Sequence, residues 1–123
     1  VPIQGQAGVL CNNPKNKTMY LPNIITALIK AQDSFDSLAY ANCFSETAIV
    51  VDEGNTYKGR TEIMNWIDRA NQQYRAKMKP IEFSETENTL KAEISGDFPG
   101  SPAVLSYHFS FTDALIQSLK ISG

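Results

Sequence analysis

In the stretch VVDEGNTYKGRTEIMNW, residues 50–66, an apolar segment ends in two adjacent acids, Asp52 and Glu53, just ahead of a turn and an amphipathic run. A turn needs one polar residue at that place, so the second carboxylate calls for a reason. Three roles are open to Asp52. It caps the turn through its own backbone and sees water; it touches a ligand at the rim of a cavity; or it takes and returns a proton there, as a carboxyl group does once desolvation lifts its pKa. Abstraction of a proton next to a carbonyl also needs a donor where the enolate charge develops, and a buried tyrosine hydroxyl such as that of Tyr107 can serve.

Other chemistry is poorly supplied. His108 is the single histidine, so a metal site built from several imidazoles is excluded. Cys11 and Cys43 are too few and too far apart for a disulfide framework or a C-x-x-C knuckle, and they read as free thiols, with Cys43 packed as a small apolar side chain near a helix end. The chain has no G-x-S-x-G and no glycine-rich phosphate loop, so no nucleotide, metal or other cofactor is implied. Proton transfer on a small, mostly apolar molecule is the reaction class left.

The chain has 123 residues, enough for one domain with a real core. Eleven basic residues against 13 acids give a net charge of -2, which offers no global field for a phosphate backbone, so nucleic acid is not an expected partner. No apolar stretch approaches the roughly 20 residues that span a bilayer, so no membrane partner is expected either. The two thiols suit a reducing, cytoplasmic setting. Residues 1–18 mix Pro, Gly, Asn and Lys with little periodicity and read as an arm or leader; the domain is expected over residues 19–123.

From Met19 onward the pattern is regular. Ile24, Leu28, Ala31, Phe35 and Leu38 recur at spacings of four and three, the stripe of a helix lying on a core, with a break expected at Ser34, Asp36 and Ser37. A β-branched strand then runs to Asp52, and the turn is placed at Glu53-Gly54-Asn55. A second helix opens at Gly59 with Glu62 as its capping carboxylate, and its stripe is Ile63, Trp66 or Ile67, Ala70 and Tyr74. Beyond Arg75 the period falls to two: Leu90, Ala92 and Ile94 share one face, as do Leu105, Tyr107, Phe109 and Phe111, and Leu115, Leu119 and Ile121 form a last strand. Turns are expected at Glu87-Asn88 and Asp113-Ala114, with GDFPGSP as a longer bend.

Helices followed by a run of antiparallel strands predict an α+β domain with its helices packed on one face of the sheet. A curled sheet of this kind encloses a pocket between itself and the helices. Alternation along Ala48-Ile49-Val50-Val51-Asp52 puts Asp52 on the side of Ala48 and Val50 and points Glu53 away. His108 falls on the face opposite Tyr107, among serines, and Arg69, Arg75, Lys77 and Lys79 read as a solvated basic face.

The segments FSETAIVVDEGNTYKGRTEIMNW, SGDFPGSP and LSYHFSF…LIQSLKIS resemble the NTF2-like superfamily, specifically its SnoaL-like branch, over roughly residues 21–121. That resemblance implies a cone-shaped α+β barrel, a curved antiparallel sheet wrapped around N-terminal helices, with a deep pocket and assembly as a homodimer through the outer surface of the sheet. Its members include polyketide cyclases, ketosteroid isomerases, epoxide hydrolases, dehydratases and proteins that only bind. Asp52 falls where the ketosteroid isomerase branch has its proton-abstracting aspartate, and Tyr107 where that branch has a hydrogen-bond-donating aspartic acid. Trp66 takes the place of an aromatic of the pocket wall, and Tyr40, Tyr57, Leu28 and Phe109 complete the expected ligand contacts. Leu28 stands near that branch's first-helix tyrosine donor and cannot donate. The rival reading is a non-catalytic ligand-binding or dimerisation module.

Overall fold

A computed structural model describes residues 21–123; the arm expected over residues 1–18, with Cys11, lies outside the described residues. The chain enters through α1 (Asn23–Asp33) and α2 (Ser37–Asn42), separated where the sequence placed a break. Phe35 takes a positive φ of 56° there, and the Asp36 carboxylate accepts from the Ala39 amide to cap α2. The break turns the two helices relative to each other, so one stripe does not continue through both. Ile25, Leu28 and Ala31 of α1 are buried with Tyr40 and Ala41 of α2, whereas Leu38 is 61 % exposed.

The rest of the chain is β1 (Phe44–Asp52), β2 (Asn55–Lys58), α3 (Gly59–Tyr74), β3 (Lys77–Ser84), β4 (Thr89–Ser95), β5 (Ala103–Thr112) and β6 (Leu115–Ser122). These strands form one six-stranded curved sheet that does not close, in the order β2-β1-β6-β5-β4-β3. Neighbours are antiparallel except for β1 and β6, which run parallel. Because a parallel pair needs a crossover, β2, α3 and the meander β3–β5 stand between β1 and β6 in the chain.

Turn chemistry sets the registers. Asp113 and Ala114 both have positive φ, 52° and 64°, forming a two-residue hairpin between Thr112 and Leu115, the twist that suits two adjoining strands. The last strand departs from plain alternation. Its pairing slips between Ser110 and Phe111, leaving Gln117 as an extra residue, so Ile116 and Leu119 face the core together. The displaced Gln117 side chain bonds Ser45 and Thr47 of β1.

Gly59, at φ 82°, lets the chain turn from β2 directly into α3, a conformation open to glycine at little steric cost. The Glu62 carboxylate accepts from the Lys58 amide, and the Arg60 guanidinium donates to the Phe44 carbonyl at 2.7 Å, tying the first turn of α3 to the start of β1. Both Trp66 and Ile67 are buried, with Ile63. The helices cover one face of the sheet, where Phe44, Ala48, Val50, Leu90, Ala92, Tyr107, Phe109 and Leu119 form a continuous core. No helix among the described residues is long and apolar enough to cross a membrane.

The far end of α3 is pressed closely on the sheet at Gly96. A Cβ there would lie 2.6 Å from the Tyr74 carbonyl oxygen and 2.8 Å from the Ala76 Cα, both backbone atoms. Gly96→Ala is therefore expected to cost about 1–3 kcal/mol through forced backbone displacement. Urea unfolding followed by far-UV circular dichroism measures this, and an unchanged midpoint would refute the close approach.

Candidate functional site

The site begins with a turn. Asp52 pairs with Asn55, so Glu53 and Gly54 form a two-residue hairpin turn with positive φ at both positions, 52° and 79°. Asp52 is the last residue with strand geometry and keeps the inward direction set by Ala48 and Val50, both completely buried. Alternation stops there, which corrects the expectation that Glu53 points away: Glu53 sits at the cavity mouth beside Asp52.

Three strands bring the second group into place. Asp52 of β1 lies opposite Ile121 of β6 in the parallel pair, and Ile121 lies opposite Tyr107 of β5. Asp52, Ile121 and Tyr107 form one lateral row on the concave face, with the two polar residues about 10 Å apart at the backbone, two strand spacings. From the helical side α2 contributes Tyr40 and α3 contributes Trp66, whose rings meet edge to face at 6.1 Å.

These residues line a cavity of ≈ 400 Å³ with Gln32, Asn71, Tyr74, Ile94, Phe98 and Leu105. Asp52, Glu53 and Trp66 also border a smaller outer recess of ≈ 180 Å³, which includes Arg69 and Tyr57. Asp52 thus stands at the junction of a larger, half-open aromatic cavity and a smaller, more polar recess.

Electrostatics follow from burial. Removal from water raises the Asp52 carboxyl above its ordinary value, and the charge of Glu53 adds to this; the Trp66 side chain, whose indole N–H is its one donor, acts in the opposite direction. Burial pushes Tyr107 and Tyr40 well above the usual phenol range. The Asp52 charge raises both tyrosines further, and Tyr107 raises Tyr40 as well, as groups facing one space would. Neither hydroxyl has a protein hydrogen-bond partner among the described residues, although both side chains are buried.

Of the residues proposed from sequence, Asp52, Tyr107, Trp66 and Tyr40 therefore line one cavity, two from the sheet and two from the helices. Tyr57 stacks on the outer side of Trp66 at 5.4 Å and borders only the smaller recess. Leu28 and Phe109 are corrections. Leu28 is sealed in the core, and Phe109 lies between the rings of Tyr107 and Phe111; neither reaches the cavity. His108 is exposed on the outer face, between Thr89 and Ser122, as alternation placed it. Cys43 is a free, buried thiol ending α2.

Gln32 and Asn71 escaped the sequence reading. Both occupy buried helical positions, Gln32 four residues after Leu28 and Asn71 four after Ile67, and a polar side chain on an apolar stripe was the available signal.

Neither a protein-family model nor a curated protein matches the sequence. Solved structures do. A candidate polyketide cyclase from Sinorhizobium meliloti is 32 % identical, with a TM-score of 0.77 over 83 % of this chain and 95 % of that one. A hypothetical protein of ketosteroid isomerase-like fold from Catenulispora acidiphila, in complex with trimethylamine, is 20 % identical, with a TM-score of 0.75 over 85 % and 87 % of the two chains. An NTF2-like protein of unknown function from Cytophaga hutchinsonii is 14 % identical, with a TM-score of 0.67 over 87 % and 92 %.

The raised Asp52 pKa has a consequence for stability. The unfolded chain ionises Asp52 near its ordinary value of 3.8, whereas the folded chain keeps the proton to higher pH. Folding therefore binds protons in that window, so this group's contribution falls as pH rises from below 3.8 through the raised pKa, and it stays low above it. Asp52→Asn is expected to melt higher than the parent at neutral pH and to lose that advantage at about pH 3. Thermal melts across that range test it, and a lower melting temperature for the variant at neutral pH would refute it.

Proposed function

The chain belongs to the SnoaL-like branch of the NTF2-like superfamily, and on that footing we propose that it is a small-molecule pocket protein in which Asp52 acts as a general base. The substrate is a small, mostly apolar carbonyl compound, and the reaction is of the isomerase, cyclase or hydrolase type. One observation carries this reading: a half-buried carboxyl of raised pKa shares a cavity with two buried tyrosine hydroxyls that have no partner among the described residues.

The chemistry follows from the geometry. A C–H next to the carbonyl lies against Asp52, and the carboxylate takes its proton. Charge moves to the carbonyl oxygen, where Tyr107, aided by Tyr40, donates a hydrogen bond. Their raised pKa values keep both hydroxyls protonated through neutral pH, so they remain donors. Asp52 then returns the proton to the same carbon or to another one.

A second reading is binding without reaction. Tyr40, Trp66, Tyr74, Phe98 and Tyr107 line the cavity beside two carboxylates, with no Lys, Arg or His among the described lining residues. Among the described residues, such a wall suits a small organic cation through cation–π attraction, and trimethylamine is the compound in the Catenulispora structure.

The proposal includes a homodimer built on the outer face of the sheet, where Ile49 and Val104 stay exposed near a ladder of serine, threonine and histidine side chains. Light scattering at tens of micromolar is expected to give twice the monomer mass; a monomer there would count against it.

Catalysis is tested by solvent-deuterium exchange at the carbon between the carbonyl and alkene of a β,γ-unsaturated ketone, followed by NMR. Asp52→Asn should slow enzyme-dependent exchange by at least roughly 100-fold, and Tyr107→Phe by roughly 100-fold. Exchange that survives Asp52→Asn would remove Asp52 as the base.

A further inference from the structure

Gln32 stands apart from the other polar groups of the cavity because its hydrogen bonding is directional and incomplete. Its Nε2 donates to the Ala76 carbonyl at 2.7 Å and to Asn71 Oδ1 at 3.2 Å. Asn71 Nδ2 in turn donates to Ser37 Oγ at 3.3 Å, and Ser37 Oγ donates to an Asp68 carboxylate oxygen at 3.1 Å. This chain ends at a backbone carbonyl on one side and at a carboxylate on the other. Neither terminus can donate, so the orientation of both amides is fixed. The Nε2 of Gln32 is committed to the framework, and its Oε1 is left without a partner among the described residues. Gln32 is only 9 % exposed and lines the cavity.

A buried amide oxygen without a partner costs stability unless something donates to it. The charged groups of the lining have the same polarity. Asp52 and Glu53 are acceptors when ionised and no described lining residue carries a positive charge, so a carboxylate or phosphate on the ligand would face two like charges with only the neutral hydroxyls of Tyr40 and Tyr107 and the Trp66 indole to offset them. Position also matters. Asp52 adjoins Trp66 while Gln32 is bonded to Asn71, five residues further along α3, a rise of about 7.5 Å.

We propose that Gln32 sets the specificity of this cavity: its Oε1 accepts a hydrogen bond from a hydroxyl or N–H group on the end of an uncharged ligand remote from Asp52. The ligand class is thus a carbonyl compound with a donor at its far end and no anionic group. This rests on the reading of the cavity as a ligand site.

Three matched fluorescent ketones test it: 6-hydroxy-2-acetonaphthone, its 6-methoxy ether and unsubstituted 2-acetonaphthone, titrated into the full chain. The wild type is expected to bind the hydroxy compound about fivefold more tightly than the unsubstituted one, the worth of one net hydrogen bond, with no such gain for the ether. Gln32→Met should bring that ratio to about one or below while the unsubstituted ketone changes little. Because Gln32→Met also cuts the link to Ala76 and Asn71, Gln32→Lys provides a second variant. Its ammonium can donate to both but offers no acceptor, and it too should lose the ratio. A hydroxy preference that is absent in the wild type, or that survives both substitutions, overturns the role of Gln32 and leaves the cavity reading standing. If none of the three ketones binds the wild type, this proposal falls together with the cavity as a site for such compounds.

Discussion

The site depends on the parallel pairing of β1 with β6. These strands lie far apart in the chain, yet their register puts Asp52 opposite Ile121 and, through β6, in line with Tyr107. A slip of one residue would carry Asp52 to the outer face and leave Val51 in its place, because side chains alternate along a strand. Two features hold the register. The Glu53–Gly54 turn fixes the end of β1, and the extra residue Gln117 in β6 is pinned to Ser45 and Thr47 of β1. The bulge therefore serves the position of Asp52 as well as the packing of Ile116.

Around that row the polar groups fall into two sets. Gln32 Nε2, Asn71, Ser37 and Asp68 satisfy one another and tie α1, α2 and α3 together with the start of β3. Asp52 meets the Trp66 indole, and the hydroxyls of Tyr40 and Tyr107 have no protein partner among the described residues. Buried polar groups are ordinarily hydrogen-bonded, so the second set is where the fold gives up stability, and such places tend to coincide with function.

The departure from the ketosteroid isomerase pattern is also clarified by geometry. Leu28, near which the resemblance places that branch's first-helix donor, is enclosed in the core. The break at Ser34–Asp36 starts a second helix, and from it Tyr40 brings a hydroxyl to the cavity that Tyr107 and Asp52 border. On the proposed reading, the donor from the helical layer is supplied by α2 in place of α1.

Much of this was readable in the residues alone. Turn-forming residues at Glu53-Gly54 and Asp113-Ala114, the break before α2, the capping Glu62 and the inward side of Asp52 all follow from local stereochemistry, which a few neighbouring residues decide. Periodicity assigns a residue to a face but says nothing about what stands opposite it. Leu28 and Phe109 share the inward face with true cavity residues, yet neighbouring side chains close over them; Leu38 continues a stripe on paper but not past a bend in the chain. Glu53 escaped because alternation ends where the turn begins, and Gln32 because its free oxygen is defined only by bonds to residues about 40 positions away. Within regular stretches of strand and helix, sequence settled which side chains face inward, a local matter of backbone geometry; tertiary structure decided the faces at bends, turns and the bulge, and which inward residues border empty space, since a void is defined by surfaces that meet from distant parts of the chain.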